Sequence, residues 1–286
     1  MPTLLEFRHR IRSVKNTQQI TRAMKFVAAA RLRRAQDKVV ALRPYVKALG
    51  EVLRSAVSRV ENPLLHPLLA RRPEERLLVV VTAGERGLCG AFNANILRLA
   101  MEFLAQHSGK TLEVMTLGKK SRDALRKTQW KSIGEFVDVT TLADWSTAKE
   151  IAQQLIARYE AGETDAIYLI YNEFKSVLGS THRIERLLPI DAERDEAAAV
   201  QVDYLYERSA EEIFRKLLPR YVEMQVYRML AESSTAEHAA RMMAMESATR
   251  NAADVIDQLT LHMNKVRQAA ITKEIIEVIS GATLAD

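Results

Sequence analysis

Residues 1–60 read MPTLLEFRHRIRSVKNTQQITRAMKFVAAARLRRAQDKVVALRPYVKALGEVLRSAVSRV, and this stretch decides the fold. It holds 14 Lys and Arg against Glu6, Asp37 and Glu51, and it has no glycine before Gly50. Leu4, Phe7, Ile11 and Val14, then Leu32, Ala35, Val39, Leu42, Val46, Leu49, Leu53, Ala56 and Val60, recur three or four apart, which is the period of one helix face. Between them Gln18, Thr21 and Lys25 fall on the expected seam. The reading there is that Ile20, Met24, Val27 and Ala28 carry the apolar face instead, so that the stripe rotates about the helix axis. Such a helix spans roughly 80 Å and leaves its stripe in water unless a second helix covers it. Pro44 is expected to kink or interrupt the rod.

Charge is polarised along the chain. The first 60 residues carry a net +11, while the remainder holds 28 basic and 33 acidic residues. A basic rod points to an acidic partner, to nucleic acid or to an anionic surface, without choosing among them. Cys89 is the only cysteine, so no internal disulfide framework and no multi-cysteine metal site is available. The longest apolar runs, such as 77–81, are far short of the ~20 residues of a membrane span. An Arg-rich, acid-poor start also suits an organellar transit peptide, but the pattern runs for 60 residues without a small-residue cleavage region.

Glycine placement divides the rest. Eight of the ten glycines lie from Gly84 to Gly179, and from Ser180 to Ser280 there is none. After Pro63, Pro67 and Pro73 the sequence alternates: strands are expected at 77–82, 112–117, 166–171 and 183–188, and helices at 91–107, 119–127 and 147–159. This is a small Rossmann-like α/β domain with a largely parallel sheet, assigned to residues 74–195. From 209 onward the chain is helical throughout. Three parts follow: an N-terminal coiled-coil helix (1–60), the α/β domain, and a C-terminal coiled-coil helix (209–286). The economical fold is a long antiparallel coiled coil of the terminal helices with the α/β domain inserted between them.

If Arg59 stands near Ser209, the second helix overhangs the first by about 19 residues, or roughly 28 Å. That overhang, from about Val266, carries Ile271, Ile275, Ile276, Val278, Ile279 and Leu284 on several sides. A helix apolar on several sides must be surrounded, and no part of this chain is left to do it.

Catalytic chemistry finds little support. The cluster Gly84-Glu85-Arg86-Gly87-Leu88-Cys89-Gly90 follows a strand and opens a helix, where phosphate loops occur, but its spacing matches neither the dinucleotide nor the Gly-Lys-Ser/Thr pattern. A tight turn with positive φ angles is the plainer reading. Gly118-Lys119-Lys120-Ser121 resembles the end of a phosphate loop only superficially. Cys89 near a helix start is a candidate for a lowered thiol pKa, weighed against a buried structural cysteine. The six histidines lack the spacing of a helical zinc site. No catalytic residue, cofactor site or metal site is therefore assigned. The alternative function is a basic coiled-coil protein that binds nucleic acid or acts as a scaffold. Against nucleic acid, Ala28-Ala29-Ala30-Arg31-Leu32-Arg33-Arg34 interleaves its cations with small apolar residues that suit close helix contact.

Several motifs in order carry a family resemblance. They are Arg10-Ile11-Arg12-Ser13-Val14-Lys15-Asn16-Thr17, Ile20-Thr21-Arg22-Ala23-Met24-Lys25, Val27-Ala28-Ala29-Ala30 and Leu32-Arg33-Arg34-Ala35. In the middle stand Arg86-Gly87-Leu88-Cys89-Gly90 and Asn93. Near the end come Met245-Glu246-Ser247-Ala248, Asn251-Ala252, Asn264-Lys265-Val266-Arg267-Gln268, Ile271-Thr272-Lys273-Glu274 and Ser280-Gly281-Ala282. The chain resembles the gamma subunit of the F-type ATP synthase, the central rotor shaft, of bacterial type. One departure is visible: Gly84-Glu85 stands where that family commonly has Ser-Asp.

The resemblance implies a non-catalytic shaft, standing inside a hexamer of alternating alpha and beta subunits. Its α/β domain would lie against the membrane rotor ring of c subunits and the small epsilon subunit. It implies rotation driven by proton or sodium flow, a peripheral place at the cytoplasmic face of a bacterial membrane, no membrane span and no nucleic acid. It also implies partner contacts. Met24 and Lys25 would face an acidic lever loop of the catalytic subunit, with Arg33 and Arg34 on the same basic section. Arg267, Gln268, Thr272 and Glu274 would meet catch loops.

Overall fold

A computed structural model describes residues 3–59, 66–191 and 210–283. The elements in order are α1 (Leu4–Arg59), a 3-10 turn (Pro67–Leu69), β1 (Arg76–Thr82), α2 (Phe92–Gln106), β2 (Thr111–Leu117) and α3 (Lys119–Leu125). Then come β3 (Lys131–Phe136), α4 (Val139–Leu142), α5 (Trp145–Glu160), β4 (Ala166–Ser176), β5 (Gly179–Leu188) and α6 (Ala210–Thr283). The linker around Pro63, the segment 192–209 and Leu284 lie outside the described residues. The chain divides into two compact units, one made of residues 1–28 with 242–286, the other of residues 29–241.

The second unit is built on a five-stranded sheet in the order β3-β2-β1-β4-β5. β1 pairs in parallel with β2 and β4, β2 in parallel with β3, and β4 with β5 in antiparallel fashion. β1 is central and buried on both faces, which its run Leu77 to Val81 requires. One face sends Leu78, Val80, Ile167, Leu169 and Tyr171 against α5 and against Leu218, Val222, Val226, Met229 and Leu230 of α6. The opposite face sends Val79, Val81, Val114 and Ile170 against Ile96, Ala100, Phe103 and Leu104 of α2.

Sequence reading missed β3 and α4. β3 is an edge strand, KSIGEF, with too few apolar residues to show a period, and the single turn α4 follows Asp138 in a left-handed conformation. β5 begins at Gly179, earlier than expected, and returns antiparallel to β4 through a tight hairpin. α3 stops at Leu125, two residues before its expected end.

The structure corrects the expected interruption at Pro44 and the expected path of the stripe on α1. Pro44 does not interrupt it, because the helix runs from Leu4 to Arg59 with Pro44 inside and exposed. A proline on the wet side removes one backbone bond whose carbonyl water can take up. Nor does the stripe rotate. Positions 4, 7, 11, 14, 18, 21, 25, 28, 32, 35, 39, 42, 46, 49 and 53 are buried or half-buried in an unbroken alternation of three and four, and Met24, Ala29, Gly50, Val52 and Ser55 are half-buried beside them. Gln18, Thr21 and Lys25 occupy the seam after all, whereas Ile20 and Val27 are more than half exposed, at 59% and 54%.

Candidate functional site: a polar layer and cleft in the helix pair

In the first unit the N-terminal half of α1 lies against α6, and partner numbers fall as α1 numbers rise. Phe7 stacks on His262 with ring centroids 5.3 Å apart, Thr21 meets Thr249, and Lys25 meets Glu246. The pair is therefore antiparallel. Since α1 begins at Leu4, the part of α6 beyond about residue 265 has no α1 residue opposite it. Along it Ile271, Ile275 and Ile276 are 48%, 53% and 57% exposed. The side chains of Val278 and Ile279 lie outside the described residues.

Two of the polar seam positions, Thr21 and Lys25, find partners across the two helices, so apolar residues are not needed there. Thr21 Oγ1 and Thr249 Oγ1 lie 2.8 Å apart, and a carbonyl of its own helix stands within reach of each, that of Gln18 at 3.0 Å and that of Met245 at 2.7 Å, so one hydroxyl donates across the pair while the other donates along its helix. Lys25 Nζ pairs with Glu246 Oε2, and the other oxygen, Oε1, stands 3.5 Å from Arg250 Nε one turn along α6. The Lys25 hydrogen bond, with Arg250 added, holds the Glu246 carboxyl below the usual carboxylate range. Beside this layer opens a cleft of about 460 Å³ lined by Gln18, Gln19, Arg22, Lys25, Phe26, Glu246 and Thr249. Its cations and amides can bind a carboxylate.

Of the sequence-selected residues, Met24 and Lys25 are half-buried in this helix pair, with Lys25 on the cleft. Arg267, Gln268, Thr272 and Glu274 are exposed on the unopposed part of α6, where the Thr272 hydroxyl donates to the Gln268 carbonyl at 2.9 Å. Arg33 and Arg34 are exposed on α1 in the second unit. Sequence reasoning missed Glu246 as the partner of Lys25 and Thr249 as the partner of Thr21. The available signal was the strict three-four spacing through Gln18, Thr21 and Lys25.

The glycine loop of the second unit lies where phosphate loops lie in α/β sheets, after β1 and between the neighbours β2 and β4. Its groups are taken up internally. The Gly84 amide donates to Asn93 Oδ1 at 2.8 Å, and Asn93 Nδ2 donates to the Arg86 carbonyl at 3.2 Å. The Lys119 amide donates to Glu85 Oε2 at 3.0 Å, and the buried Ser121 hydroxyl turns to the carbonyls of Leu117 and Gly118. Positive φ falls on Leu88 and Gly90 and not on Gly84 or Gly87. Burial pushes the Cys89 thiol up, the opposite of an activated nucleophile.

The departure at Gly84-Glu85 has a packing reason. A Cβ at Gly84 would stand 2.9 Å from the Glu237 carboxyl carbon and 3.0 Å from Asn93 Oδ1. Glu85 and Glu237 both approach the Thr140 hydroxyl at 3.4 Å, and Arg241 binds Glu237 at 2.6 Å. Burial raises the Glu237 carboxyl above its ordinary range.

Among the described residues no group of His, Cys, Asp and Glu could hold a metal ion, and no helix is long and apolar enough to cross a membrane. Two long terminal helices with an α/β domain between them in sequence define the class of protein: a helix pair that carries an inserted domain with a largely parallel sheet. A family model described as ATP synthase matches residues 3–283. The chain is 50% identical to the ATP synthase gamma chain of Solibacter usitatus, over the whole of both chains. It is 44% identical to that of Pelotomaculum thermopropionicum, over 99% of each, and 46% identical to that of Chlorobaculum parvum, over 99% and 98%. The chain belongs to the ATP synthase gamma-chain family. Among solved structures it is similar to the central stalk of the Tetrahymena thermophila mitochondrial ATP synthase, with 26% identity, 80% and 99% coverage and a TM-score of 0.59. The rotor of the Euglena gracilis mitochondrial enzyme shares the fold, at 20% identity, 94% and 98% coverage and a TM-score of 0.68.

Proposed function

We propose that the chain is the central shaft of a bacterial ATP synthase. It couples ion-driven rotation of a membrane ring of c subunits to conformational change in a hexamer of alternating alpha and beta subunits, and it catalyses nothing itself. A single shaft inside a nearly three-fold ring meets the catalytic subunits through different contacts, so each orientation stabilises a different conformation, which is coupling by differential contact. Met24, Lys25, Arg33 and Arg34 meet acidic loops of the hexamer. Arg267, Gln268, Thr272 and Glu274 meet loops around the far end of α6. The epsilon subunit and the rotor ring take the α/β domain, and the complex holds the chain at the cytoplasmic face of the membrane without a span of its own.

The observation that carries this reading is the unopposed run of α6, whose Ile271, Ile275 and Ile276 stand exposed as they would inside a sleeve of other subunits. Reconstitution tests it. The full-length chain mixed with an alpha–beta hexamer of a close relative is expected to form a stoichiometric complex that hydrolyses ATP, while the chain alone turns over none. A chain that stays outside the hexamer and instead binds duplex DNA with a steep salt dependence would overturn the reading.

A further inference from the structure

We propose that Glu246 is an internal competitor for the acidic partner of the shaft: it holds Lys25 at rest and yields it to an incoming carboxylate by turning to Arg250. The inference rests on the functional reading above and deepens it at one site.

Lys25 is not a free cation. Its ammonium is paired with Glu246 across the two helices, and the two side chains keep 34% and 26% of their surface exposed. A partner carboxylate that approached this point would meet Glu246 as well as the lysine. The repulsion is relieved only if Glu246 leaves, and the structure supplies the place for it. Arg250, four residues on in α6 and with 73% of its side-chain surface exposed, already stands 3.5 Å from Glu246 Oε1. No large movement is required, since one carboxylate oxygen faces each cation.

The cleft gives the incoming group its route. It is lined by Lys25 and Glu246 together with exposed Arg22, by the amides of Gln18 and Gln19, and by Phe26. A carboxylate entering there reaches the Lys25 ammonium with Arg22 beside it, and Glu246 remains neutralised by Arg250. Lys25 and Glu246 each keep an opposite charge before and after the exchange. An exposed or half-exposed ion pair favours its closed form by no more than about fivefold, so the resting pair is weak enough to be displaced. The occupant is an acidic protein loop, because the first 60 residues carry 14 cations against three carboxylates and the cleft offers cations and amide donors. The exchange also sets specificity. A neutral loop gains nothing by displacing Glu246, so only a carboxylate opens the site.

The test uses the full-length chain titrated onto the alpha–beta hexamer at 50 and 200 mM salt. Glu246→Gln is expected to tighten assembly by about fivefold at low salt, and Lys25→Gln in the same chain is expected to cancel that gain. Arg250→Gln is expected to weaken assembly about threefold when Glu246 is present and to change nothing in the Glu246→Gln background. Arg250→Gln leaves the Lys25–Glu246 pair intact, so its result stands even if Glu246→Gln lowers the melting temperature. Unchanged or weaker assembly of a normally folded Glu246→Gln chain, or an effect of Arg250→Gln that persists without Glu246, would show a structural staple and overturn the exchange. In that case the functional reading stands. Failure of the unaltered chain to enter the hexamer overturns both.

Discussion

His238 shows how the local setting of one residue fixes its chemistry. It lies on α6 with 6% of its surface exposed, its Nδ1 has no hydrogen-bond partner, and Arg241 and Arg31 add to the burial that lowers its pKa to about 4. The folded protein therefore keeps His238 neutral where the unfolded chain, with an ordinary value near 6.5, takes up a proton. Stability contributed by this group is complete above pH 6.5 and is lost as pH falls toward 4, by up to about 3 kcal/mol. Glu237, with its raised carboxyl pKa, works in the opposite sense, losing stability as pH rises above the ordinary carboxylate range. The comparison that isolates the histidine is His238→Gln against the parent. Urea unfolding from pH 7 to 4.5 is expected to show a shallower loss of stability in the variant, and parallel curves would contradict it. Gly118 is a second position where backbone geometry decides identity, since its φ is +98° and a Cβ there would come 2.1 Å from the Ala83 carbonyl oxygen.

The elements were legible where their period was apolar. α1, α6, β1, β2, α2 and the start of β4 follow from spacing and from where glycine and proline fall, because burial imposes the period directly. β3 escaped since an edge strand buries little. The polar seam escaped because Thr21 and Lys25 look like breaks until their partners on α6 are known. Polar seam residues fix register at some cost in stability. Thr21→Val combined with Thr249→Val is accordingly expected to stabilise the helix pair by about 1 kcal/mol while making its register less unique. Calorimetry with cysteine cross-linking at neighbouring seam positions reads both effects. A destabilised pair with unchanged register would show that the threonine contact contributes more than its apolar replacement. In the second unit a comparable polar bracket ties α1 to α6 and β4. Arg43 binds the buried Glu232 at 2.9 and 3.0 Å and the Phe174 carbonyl at 2.6 Å, and Glu232 accepts from the Phe174 amide at 3.0 Å.

At the scale of the whole molecule one long segment of α6 lies beyond the reach of α1. Residues 267–276 of α6 are exposed apart from Ala270, which is half-buried, and no α1 residue stands opposite them. Removing residues 266–286 is therefore expected to leave the melting temperature of the isolated chain within a few degrees of the parent. Entry into the hexamer or coupling in it is expected to fall by an order of magnitude or more, as loss of an interface core would require. Thermal unfolding and ATP-driven rotation of the assembled complex measure the two. A truncated chain that melts much earlier yet couples normally would mean that the segment serves internal stability.

The sequence by itself determined the helical termini, the inserted α/β domain, the charge polarity and the family, because each depends on residue type repeated over long spans. Only the tertiary structure decided that Lys25 is already held by Glu246, that Gly84 yields space to Glu237, and that the glycine loop is closed on itself by Asn93. Those facts depend on pairs far apart in the chain, Lys25 with Glu246 and Gly84 with Glu237. A periodicity carries no record of which distant carboxylate will meet which cation. That is set by the register of two helices and by the packing of α6 on the sheet.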